Sequence, residues 1–446
     1  MSNIFRAYDV RGIYPDELNE EIAGRIAGAT AKFLSAKKLV VAEDARISSP
    51  ALRKAVLDGI TKAGCDVIHI GRCTTPLFYF SVNKLNADGG IMVTASHNPP
   101  QYNGLKIVGP GATPVASISG LFQIRDTLSN VLEGAPKTGT VQTMSLIKEY
   151  IDLLTQKSKF KNKNTKFVID ASNGMALVVL KPLFEKLGLE PVLINFDIDG
   201  NFPNHSPDIS KKENLQQLKN KILETQADAG FAFDGDADRL TVLDEKGEKL
   251  PSEFVVGLLF KASSGLFKKP KVAHDLRFSK SIRELFGKNG SPSPTGYVFV
   301  RKKMKEVDAD IGGELAGHFD FKEMNYAESA VLAMLKTLGI VSSSGKRLSE
   351  LVAPFKKYFN SGEVNISIEQ NDDLKYEIME NLKNKYSDGK QNFLDGIMVE
   401  YSDWWFNVRF SNTEPIVRVV VEANTQELME RRVIEITSLI PAPSFL

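Results

Sequence analysis

Three short segments of the chain share one pattern, in which Ala-Asp precedes a glycine-containing apolar run. They are residues 87–93, 227–233 and 309–313. Each segment leads into a polar loop with side chains that can react or bind ions. A pattern that recurs in this way indicates related structural units, each of which supplies one loop. We therefore expect three related α/β domains around a shared cleft.

The stretch before the first segment alternates helices and strands. Leu18 and Ile22 begin a helical spacing of apolar residues, and the run 39–41 then has the character of a buried strand. Ser49 is the expected N-cap of a second helix, which a strand at 67–70 follows. Two strands that are joined by a helix favour a parallel sheet.

The last part of the chain has a different pattern, typical of a smaller α+β domain with a mostly antiparallel sheet. Its strand-like segments are residues 363–368, 396–401, 405–409 and 417–422, and helical patterns begin near residues 373 and 425. A chain of 446 residues is too long for one hydrophobic core. We predict an α/β fold: three α/β domains with mixed sheets and a C-terminal α+β domain around a central cleft. The predicted domains are residues 1–145, 146–250, 251–360 and 361–446.

Charge and hydropathy argue against several classes of partner. The 56 Lys and Arg residues nearly cancel the 55 Asp and Glu residues, which is unlike a nucleic-acid-binding protein. No uninterrupted apolar run has the length of a membrane span, and the N-terminus lacks the regions of a signal peptide. We expect a soluble, cytoplasmic protein, a monomer or homodimer, with no nucleic-acid or membrane partner.

Carboxylates at alternate positions make D-G-D-A-D-R the most informative motif. Asp234, Asp236 and Asp238 would repel one another unless a cation held them, and their hard oxygen atoms suit Mg²⁺. A calcium loop of the EF-hand type fits poorly, because Glu245 falls in an expected hairpin turn rather than beside a helix. An acidic surface loop is the alternative. The apolar strand before the motif and the adjacent Arg239 favour a metal site over it.

Ser96 follows another apolar strand and is a candidate nucleophile. Neither a G-x-S-x-G elbow nor an acid–histidine pair accompanies it, and in an extended chain His97 would point to the opposite side. A phosphoryl group held next to a metal therefore suits this serine better than acyl transfer. Lys106, further along, is a candidate general acid or base if burial and cationic neighbours lower its pKa, and a solvated lysine is the alternative.

Other segments offer groups for binding a phosphorylated sugar. Glu314 lies in a glycine-flanked loop, where a carboxylate can accept hydrogen bonds from two hydroxyls, and His318 fits equally as a structural histidine. A later run joins an arginine to small hydrogen-bonding side chains, which favours a phosphate site over an ordinary turn. Its residues are Arg409, Ser411, Asn412 and Thr413. Tyr8 and Arg11 add further groups near the N-terminus.

In this order, five motifs together resemble those of the α-D-phosphohexomutase superfamily. They are T-A-S-H-N-P, Y-N-G-x-K, D-G-D-x-D-R, G-E-x-x-G-H and R-x-S-N-T-E-P, and they extend over nearly the whole chain. The resemblance implies four domains that face one cleft. In chain order, their loops would carry a phosphoserine, bind a metal, bind the sugar and bind a phosphate.

The resemblance also implies roles for the matching residues. Ser96 would be the phosphoserine, and its phosphate oxygen would complete a Mg²⁺ shell formed by Asp234, Asp236 and Asp238. The residues expected around the transferring phosphoryl group are Arg11, His97, Lys106 and Arg239. Those expected to bind the rest of the substrate are Tyr8, Glu314, His318, Arg409, Ser411, Asn412 and Thr413.

The activity that the resemblance implies is the interconversion of hexose 6-phosphate and hexose 1-phosphate. A hexose 1,6-bisphosphate would be both intermediate and activator. The G-E-L-A-G-H and S-N-T sequences are closer to phosphomannomutases and phosphoglucomutases than to phosphoglucosamine mutases, so mannose phosphate is the expected substrate and glucose phosphate the next. Ala316, Tyr297 and Glu328 depart from the family's usual residues and bear on specificity.

Two other functions remain as alternatives. A metal-dependent sugar phosphatase would use the same carboxylates, with Asp234 rather than Ser96 as the group that carries phosphate. A non-catalytic sugar-phosphate sensor would explain the departures in the third domain. The intact Ser96, Lys106 and aspartates argue against a sensor, which would not need them.

Overall fold

Four β-sheets follow one another along the chain, and helices pack against them. The structure is a computed structural model that describes residues 4–128, 135, 137–158, 165–265, 269–369, 371–411 and 415–441. Among these residues, no helix has both the length and the apolar character that a bilayer span requires. We name the four sheets with their helices the first, second, third and fourth units.

The first unit is built on a mixed sheet of seven strands. Its strands are β1 (Val10–Ile13), β2 (Lys38–Glu43), β3 (Asp66–Arg72), β4 (Gly89–Val93), β5 (Tyr102–Gly109), β6 (Thr113–Pro114) and β7 (Val141–Thr143). Its helices are α1 (Glu20–Phe33), α2 (Ser49–Lys62), α3 (Thr75–Lys84) and α4 (Leu121–Asp126). Strand β2 is parallel to β3 and β4, whereas β5 is antiparallel to β4 and β1. The loop between β4 and β5 therefore connects antiparallel neighbours.

The second and third units are also mixed α/β sheets. The second has helices α5 (Ile147–Lys157), α6 (Ala176–Leu187) and α7 (Gln216–Thr225) and strands β8 (Phe167–Asp170), β9 (Val192–Ile194), β10 (Ala229–Phe233) and β11 (Leu240–Asp244). The strands of the third are β12 (Val272–Asp275), β13 (Gly290–Ser293), β14 (Ile311–Gly313), β15 (Phe319–Phe321) and β16 (Ala327–Glu328). Its helices are α8 (Ser252–Ser263), α9 (Lys280–Phe286), α10 (Tyr297–Val307), α11 (Ala330–Ser344) and α12 (Leu348–Val352).

The fourth unit is an antiparallel sheet with two helices. Its strands are β17 (Phe359–Asn360), β18 (Val364–Ser367), β19 (Lys390–Asn392), β20 (Ile397–Glu400), β21 (Trp404–Phe410) and β22 (Ile416–Ala423). Its helices are α13 (Asp372–Lys385) and α14 (Gln426–Thr437). The predicted fold class is confirmed by these four units. The domain boundaries remain a prediction. Strand β17 lies just before the predicted start of the fourth domain, yet it pairs with β22 of the fourth sheet.

Apolar packing joins the first three units more closely than it joins the fourth. One buried cluster includes Phe78 of α3, Phe231 of β10 and Phe319 of β15, so it crosses the first three units. The fourth unit has its own core, and a small cluster of Trp405 and its neighbours meets Leu276 of the third unit. Burial of large apolar side chains is the main stabilising term in such packing.

The three repeated segments become the strands β4, β10 and β14, and each is followed by one of the predicted functional loops. Each strand is hydrogen-bonded on both sides within its sheet. The predicted cap of α2 is wrong: the helix begins at Ser49, and Ser48 occupies the cap position, where its side chain makes no capping hydrogen bond. The Ser49 hydroxyl instead donates a 2.6 Å hydrogen bond to the carboxylate of Asp44.

Candidate functional site

The loops after β4, β10 and β14 surround a cavity of about 470 Å³. Most of the predicted site residues line this cavity. They are Tyr8, Arg11, His97, Lys106, Asp238, Arg239, Glu314 and His318. The three units therefore contribute to one cleft, although the motifs are far apart in the sequence.

Ser96 is buried next to His97, which lines this cavity, and its hydroxyl is directed at the carboxylates. Its Oγ donates a 2.8 Å hydrogen bond to Asp234 Oδ2. The residue has a φ of 51°, in the left-handed region that costs a non-glycine residue roughly 1–3 kcal/mol. The chain is thus not extended here, and Oγ lies 3.3 Å from Nδ1 of His97, which corrects the prediction that these neighbours face opposite sides.

Asp234, Asp236 and Asp238 form one buried cluster, in which each offers a carboxylate oxygen within 4.8 Å of the others. The backbone N–H groups of Asp238 and Arg239 donate to Asp234 Oδ1 at 3.1 and 3.2 Å. Burial, and then repulsion by the other two aspartates, raise the pKa of Asp234 well above its ordinary value. The ionised cluster therefore needs a cation.

The donor set fits a hard divalent cation such as Mg²⁺. Within the described ranges, Oδ1 of Asp236 and Oδ1 of Asp238 are buried atoms without a hydrogen-bond partner. A buried anionic oxygen is unfavourable unless something compensates it. Three carboxylates, two of which have an unpartnered oxygen, and an adjacent hydroxyl supply the all-oxygen environment that Mg²⁺ prefers.

Lys106 of β5 reaches the same cluster from the first unit. Its ammonium group donates to Asp236 Oδ2 at 2.7 Å and to Asp238 Oδ2. Burial alone would lower the pKa of Lys106, but the two carboxylates outweigh burial and raise the pKa above its ordinary value. The condition under which Lys106 was expected to act as a base is therefore not met, and the side chain is a buried cation.

Two features hold the aspartate loop against the first unit. A Cβ at Gly235 would lie 2.5 Å from the carbonyl oxygen of Ser96, so only glycine allows the two backbones to approach so closely. Thr75 Oγ1 also donates a 2.6 Å hydrogen bond to Asp236 Oδ2, and the Thr75 backbone N–H donates to the carbonyl of Asp236 at 2.9 Å. Thr75 carried no motif in the sequence that would have indicated this contact.

Several cationic side chains line the cavity, among them Arg11 and Arg239. Arg11 donates from Nε to Asp9 at 2.9 Å and from Nη1 to the carbonyl of Ala95 at 3.0 Å. Burial, and then the positive charges of Arg239 and Arg11, hold the pKa of His97 well below its ordinary value. The cavity thus combines fixed cations with a neutral imidazole, which suits an anionic phosphoryl group.

Glu314 and His318 stand together in the loop after β14. His318 Nε2 accepts a 3.1 Å hydrogen bond from Arg239 Nε, and burial lowers the pKa of His318 to about 3. Burial, and then the charge of Asp275, raise the pKa of Glu314 to about 7. Oε2 of Glu314 has no hydrogen-bond partner among the described residues, so this oxygen is available to a ligand hydroxyl.

Arg409 belongs to a second cationic cluster, at the boundary between the third and fourth units. The carboxylate of Glu363 accepts hydrogen bonds from Arg277 at 2.5 Å, Arg409 at 3.1 Å and Arg418 at 2.8 Å. The backbone N–H of Ser411 donates to the carbonyl of Ile416. The other predicted members of the phosphate loop, Asn412 and Thr413, lie outside the described residues.

Sequence reasoning missed Arg277 and Glu363. A signal for Arg277 was present, because Asp-x-Arg follows a buried strand at both 44–46 and 275–277. In both places the arginine backbone N–H donates to Oδ1 of its aspartate at 3.0 Å. No comparable pattern marks Glu363, whose partners lie in three separate segments of the chain.

The family departures have distinct surroundings. Tyr297 lines the cavity, with its ring 5.4 Å from that of His318. Glu328 is buried and accepts a hydrogen bond from Arg301, which also donates to Asp320 at 3.1 Å. Ala316 is exposed. Tyr297 is thus the departure with direct access to a ligand.

Comparison with known protein families matches the chain in four consecutive parts. Residues 2–129, 148–247 and 252–358 match the alpha/beta/alpha domains I, II and III of phosphoglucomutase/phosphomannomutase. Residues 363–438 match the C-terminal domain of the same family.

Individual proteins match over almost their full length. The chain is 36% identical to a phosphomannomutase of Methanocaldococcus jannaschii, with 98% of this chain and 97% of the relative covered. It is 38% identical to the phosphohexose mutases of Xanthomonas campestris pv. campestris, with 98% of each covered. A crystal structure of a phosphoglucomutase/phosphomannomutase family protein from Burkholderia thailandensis superimposes with a TM-score of 0.90 at 29% identity, covering 98% of this chain and 97% of that one.

Proposed function

The chain belongs to the α-D-phosphohexomutase superfamily, and on this premise we propose that it interconverts hexose 6-phosphate and hexose 1-phosphate. Ser96 is the phosphoryl carrier in this proposal. The observation that carries the proposal is the 2.8 Å hydrogen bond from Ser96 Oγ to Asp234, at a cavity that cations line. A hydroxyl in this position can be esterified while the neighbouring aspartates hold a metal.

Asp234, Asp236 and Asp238, together with Ser96, are the proposed ligands of Mg²⁺. Bound there, the metal would offset negative charge on the phosphoryl oxygens and hold them in place. The unpartnered oxygens of Asp236 and Asp238 support this assignment. A cation held by these aspartates would also offset the repulsion within the cluster.

The protein residues around Ser96 stabilise charge and move one proton. Arg11, Lys106 and Arg239 surround the phosphoryl group and offset the charge that develops during transfer. When Ser96 Oγ attacks a bisphosphate, the new P–Oγ bond forms, the bond from phosphorus to the sugar oxygen breaks, and Oγ loses its proton. The Oγ proton passes through the neutral His97 Nδ1, 3.3 Å away, to the departing sugar oxygen, which leaves as a hydroxyl; in the reverse transfer the proton moves back to Oγ.

Glu314 and the fourth unit orient the hexose. Glu314 binds sugar hydroxyls through its available oxygen, with His318 and Tyr8 beside it in the same cavity. Arg409 and Ser411, with Asn412 and Thr413, bind the phosphate that does not react. The hexose 1,6-bisphosphate must present first one phosphate and then the other to Ser96, so a trace of it would activate the enzyme.

Mannose phosphate is the proposed preferred substrate, because the relative in Methanocaldococcus jannaschii is named a phosphomannomutase and the G-E-L-A-G-H loop agrees. Glucose phosphate is the second candidate, since the solved Burkholderia thailandensis structure is of a phosphoglucomutase/phosphomannomutase family protein. Assays with mannose, glucose and glucosamine 1-phosphates at equal bisphosphate test this order. We expect the highest kcat/KM with mannose 1-phosphate, and a higher value with glucosamine 1-phosphate would contradict the assignment.

The role of Ser96 is tested with two matched serine variants. Ser96→Ala removes the phosphoryl carrier and should abolish turnover without unfolding the protein. Ser81→Ala is the control, because Ser81 is a buried serine of the same unit whose hydroxyl donates only to the carbonyl of Leu77. Full mutase activity of Ser96→Ala would refute the proposed function.

A further inference from the structure

Arg46 lies beneath the Ser96 loop and is completely buried. A guanidinium group has five N–H donors, and all five have acceptors here. Nε donates to Asp44 Oδ2 at 3.1 Å. The other four bonds go to carbonyl oxygens of the loop between β4 and β5 and of the first residue of β5: to Ser96 at 2.9 Å, Asn98 at 2.6 Å, Pro99 at 2.7 Å and Tyr102 at 2.9 Å.

The loop depends on this side chain for its shape. Four carbonyl groups that converge on one point repel one another and require a donor that reaches all of them. In addition, Ser96 has a φ of 51°, which a non-glycine residue adopts only when its surroundings enforce it. Arg46 bonds to the carbonyl of Ser96 itself, so it acts on the residue whose backbone is strained.

Asp44 fixes Arg46 in turn. Its Oδ1 accepts hydrogen bonds from the Arg46 backbone N–H at 3.0 Å and from Ser49 Oγ at 2.6 Å. Asn103, near the start of β5, donates from Nδ2 to Ser49 Oγ at 3.0 Å. The far end of the loop is therefore connected to Asp44 through Ser49. The guanidinium group therefore has a preset position before any ligand binds.

The same hydrogen bonds set the distance between the serine and the aspartates. The carbonyl oxygen of Ser96 lies between Arg46 and Gly235 of the aspartate loop. The guanidinium group of Arg46 also lies 5.2 Å from the ring of Phe202 in the second unit, a favourable contact for an arginine. A shift of this carbonyl would move Ser96 Oγ relative to Asp234.

The third unit shows that this use of the arginine is not a general property of Asp-x-Arg. Arg277 makes the equivalent bonds to Asp275. The Nη1 group of Arg277, however, donates to the Glu363 carboxylate rather than to loop carbonyl oxygens. Of these two arginines, Arg46 of the first unit, which carries the proposed nucleophile, is the one that donates to loop carbonyls among the described residues.

We propose that Arg46 is a positioning residue for phosphoryl transfer, which holds the Ser96 loop so that Oγ faces the aspartate cluster. This inference rests on the proposed function of Ser96 as phosphoryl carrier. Arg46 does not line the cavity and acts only through the loop backbone. Its loss should therefore slow the transfer step and leave the binding of hexose phosphate nearly unchanged.

Arg46→Lys tests the proposal, because lysine keeps the charge but gathers its three donors on one nitrogen and cannot span four carbonyls. A displacement of about 1 Å at a reacting atom reduces the rate by roughly 100-fold, so we expect kcat to fall by about that factor. KM should change by less than about threefold. Phosphorylation of Ser96 by a stoichiometric amount of mannose 1,6-bisphosphate, followed by intact mass, should slow in parallel with kcat.

Arg53→Lys is the matched control, since Arg53 is in the same unit and pairs with the Glu43 carboxylate at 2.9 Å rather than with loop carbonyls. If Arg46→Lys does not fold, Asp44→Asn replaces it as the test: it retains Arg46 and weakens its anchor, and it should also lower kcat without raising KM. Circular dichroism and a thermal melt measure the folded fraction of each variant.

Each outcome decides the question. The positioning role would be overturned if Arg46→Lys, or Asp44→Asn when that variant is used, kept the wild-type kcat and phosphorylation rate. In that case the inactivity of Ser96→Ala would still support the proposed function. A fall in kcat that only follows the loss of folded protein would also overturn it, because Arg46 would then stabilise the fold alone. Activity in Ser96→Ala would instead refute the function on which the inference rests.

Discussion

The stability of Glu314→Gln relative to wild type should increase as the pH rises from acid to alkaline values. Burial, with repulsion by Asp275, raises the pKa of Glu314 from its ordinary value of 4.5 to about 7. The folded protein therefore retains this proton at pH values where the unfolded chain has released it. Stability falls as the pH rises from about 4.5 to about 7, and the penalty is complete above that range.

The size of the effect follows from the two pKa values. A difference between 4.5 and about 7 corresponds to roughly 3 kcal/mol of destabilisation at alkaline pH. At about pH 5 less than about 1 kcal/mol of this remains. Glutamine cannot ionise, so the variant lacks the penalty. Between about pH 5 and about pH 8.5, the stability of Glu314→Gln relative to wild type should rise by about 2 to 3 kcal/mol.

Urea unfolding of both proteins at the two pH values measures this difference. Any constant effect of the amide on packing cancels, because only the change between the two pH values is compared. Glu185→Gln is the control, since Glu185 is exposed on α6 and the replacement should give no comparable change. An identical pH dependence in wild type and Glu314→Gln would refute the reasoning, because the carboxyl group would then not be held in its neutral form.

Three further predictions concern the aspartate cluster and the backbone contact beside it. Lys106→Met leaves Asp236 and Asp238 without their buried cation, and it should reduce the free energy of unfolding by about 3–5 kcal/mol in the absence of metal. Added Mg²⁺ should recover part of this loss in a thermal melt, and a melting temperature equal to that of wild type would contradict the pairing. Removal of divalent metal with EDTA should stop mutase turnover and Mg²⁺ should restore it, whereas turnover that is indifferent to EDTA would argue against a metal at this site. Gly235→Ala places a methyl group against the carbonyl of Ser96 and should destabilise the fold by about 1–3 kcal/mol and reduce kcat, and a variant with wild-type stability and kcat would show that the two loops are further apart.

The aspartate cluster and its position near Ser96 followed from local features of the sequence. Each motif comes directly after a buried apolar strand, and strands of this kind place the following loop at the edge of the sheet. The chemistry of alternating carboxylates then pointed to a cation without knowledge of the fold. Similar local patterns predicted β18, β20, β21, β22 and both helices of the fourth unit, but not the short strands β17 and β19.

Other features depend on contacts between distant segments. Lys106 is a candidate general acid or base on condition that burial and cationic neighbours lower its pKa, but Asp236 and Asp238 come from another unit and raise this pKa instead. Ser49 was expected to cap a helix, but its hydroxyl donates to Asp44 instead. In each case a tertiary partner replaced the local interaction on which the prediction depended.

The arginine contacts were missed for a related reason. Glu363 meets Arg277, Arg409 and Arg418 only because the third and fourth units are in contact. Arg46 bonds to backbone carbonyls, which carry no residue identity and leave no trace in the sequence. Hydrogen bonds from side chains to distant backbone are therefore the class of interaction least accessible from sequence patterns.

Transfer of a labelled phosphoryl group tests the central claim most directly. The purified protein is incubated with Mg²⁺ and hexose 1,6-bisphosphate that carries labelled phosphate, and the labelled residue is identified by peptide mass spectrometry. We predict label on Ser96, and loss of that label to added mannose 1-phosphate with formation of the bisphosphate. Label on Asp234 as an acyl phosphate, or label on Ser96 that does not return to the sugar, would contradict the account.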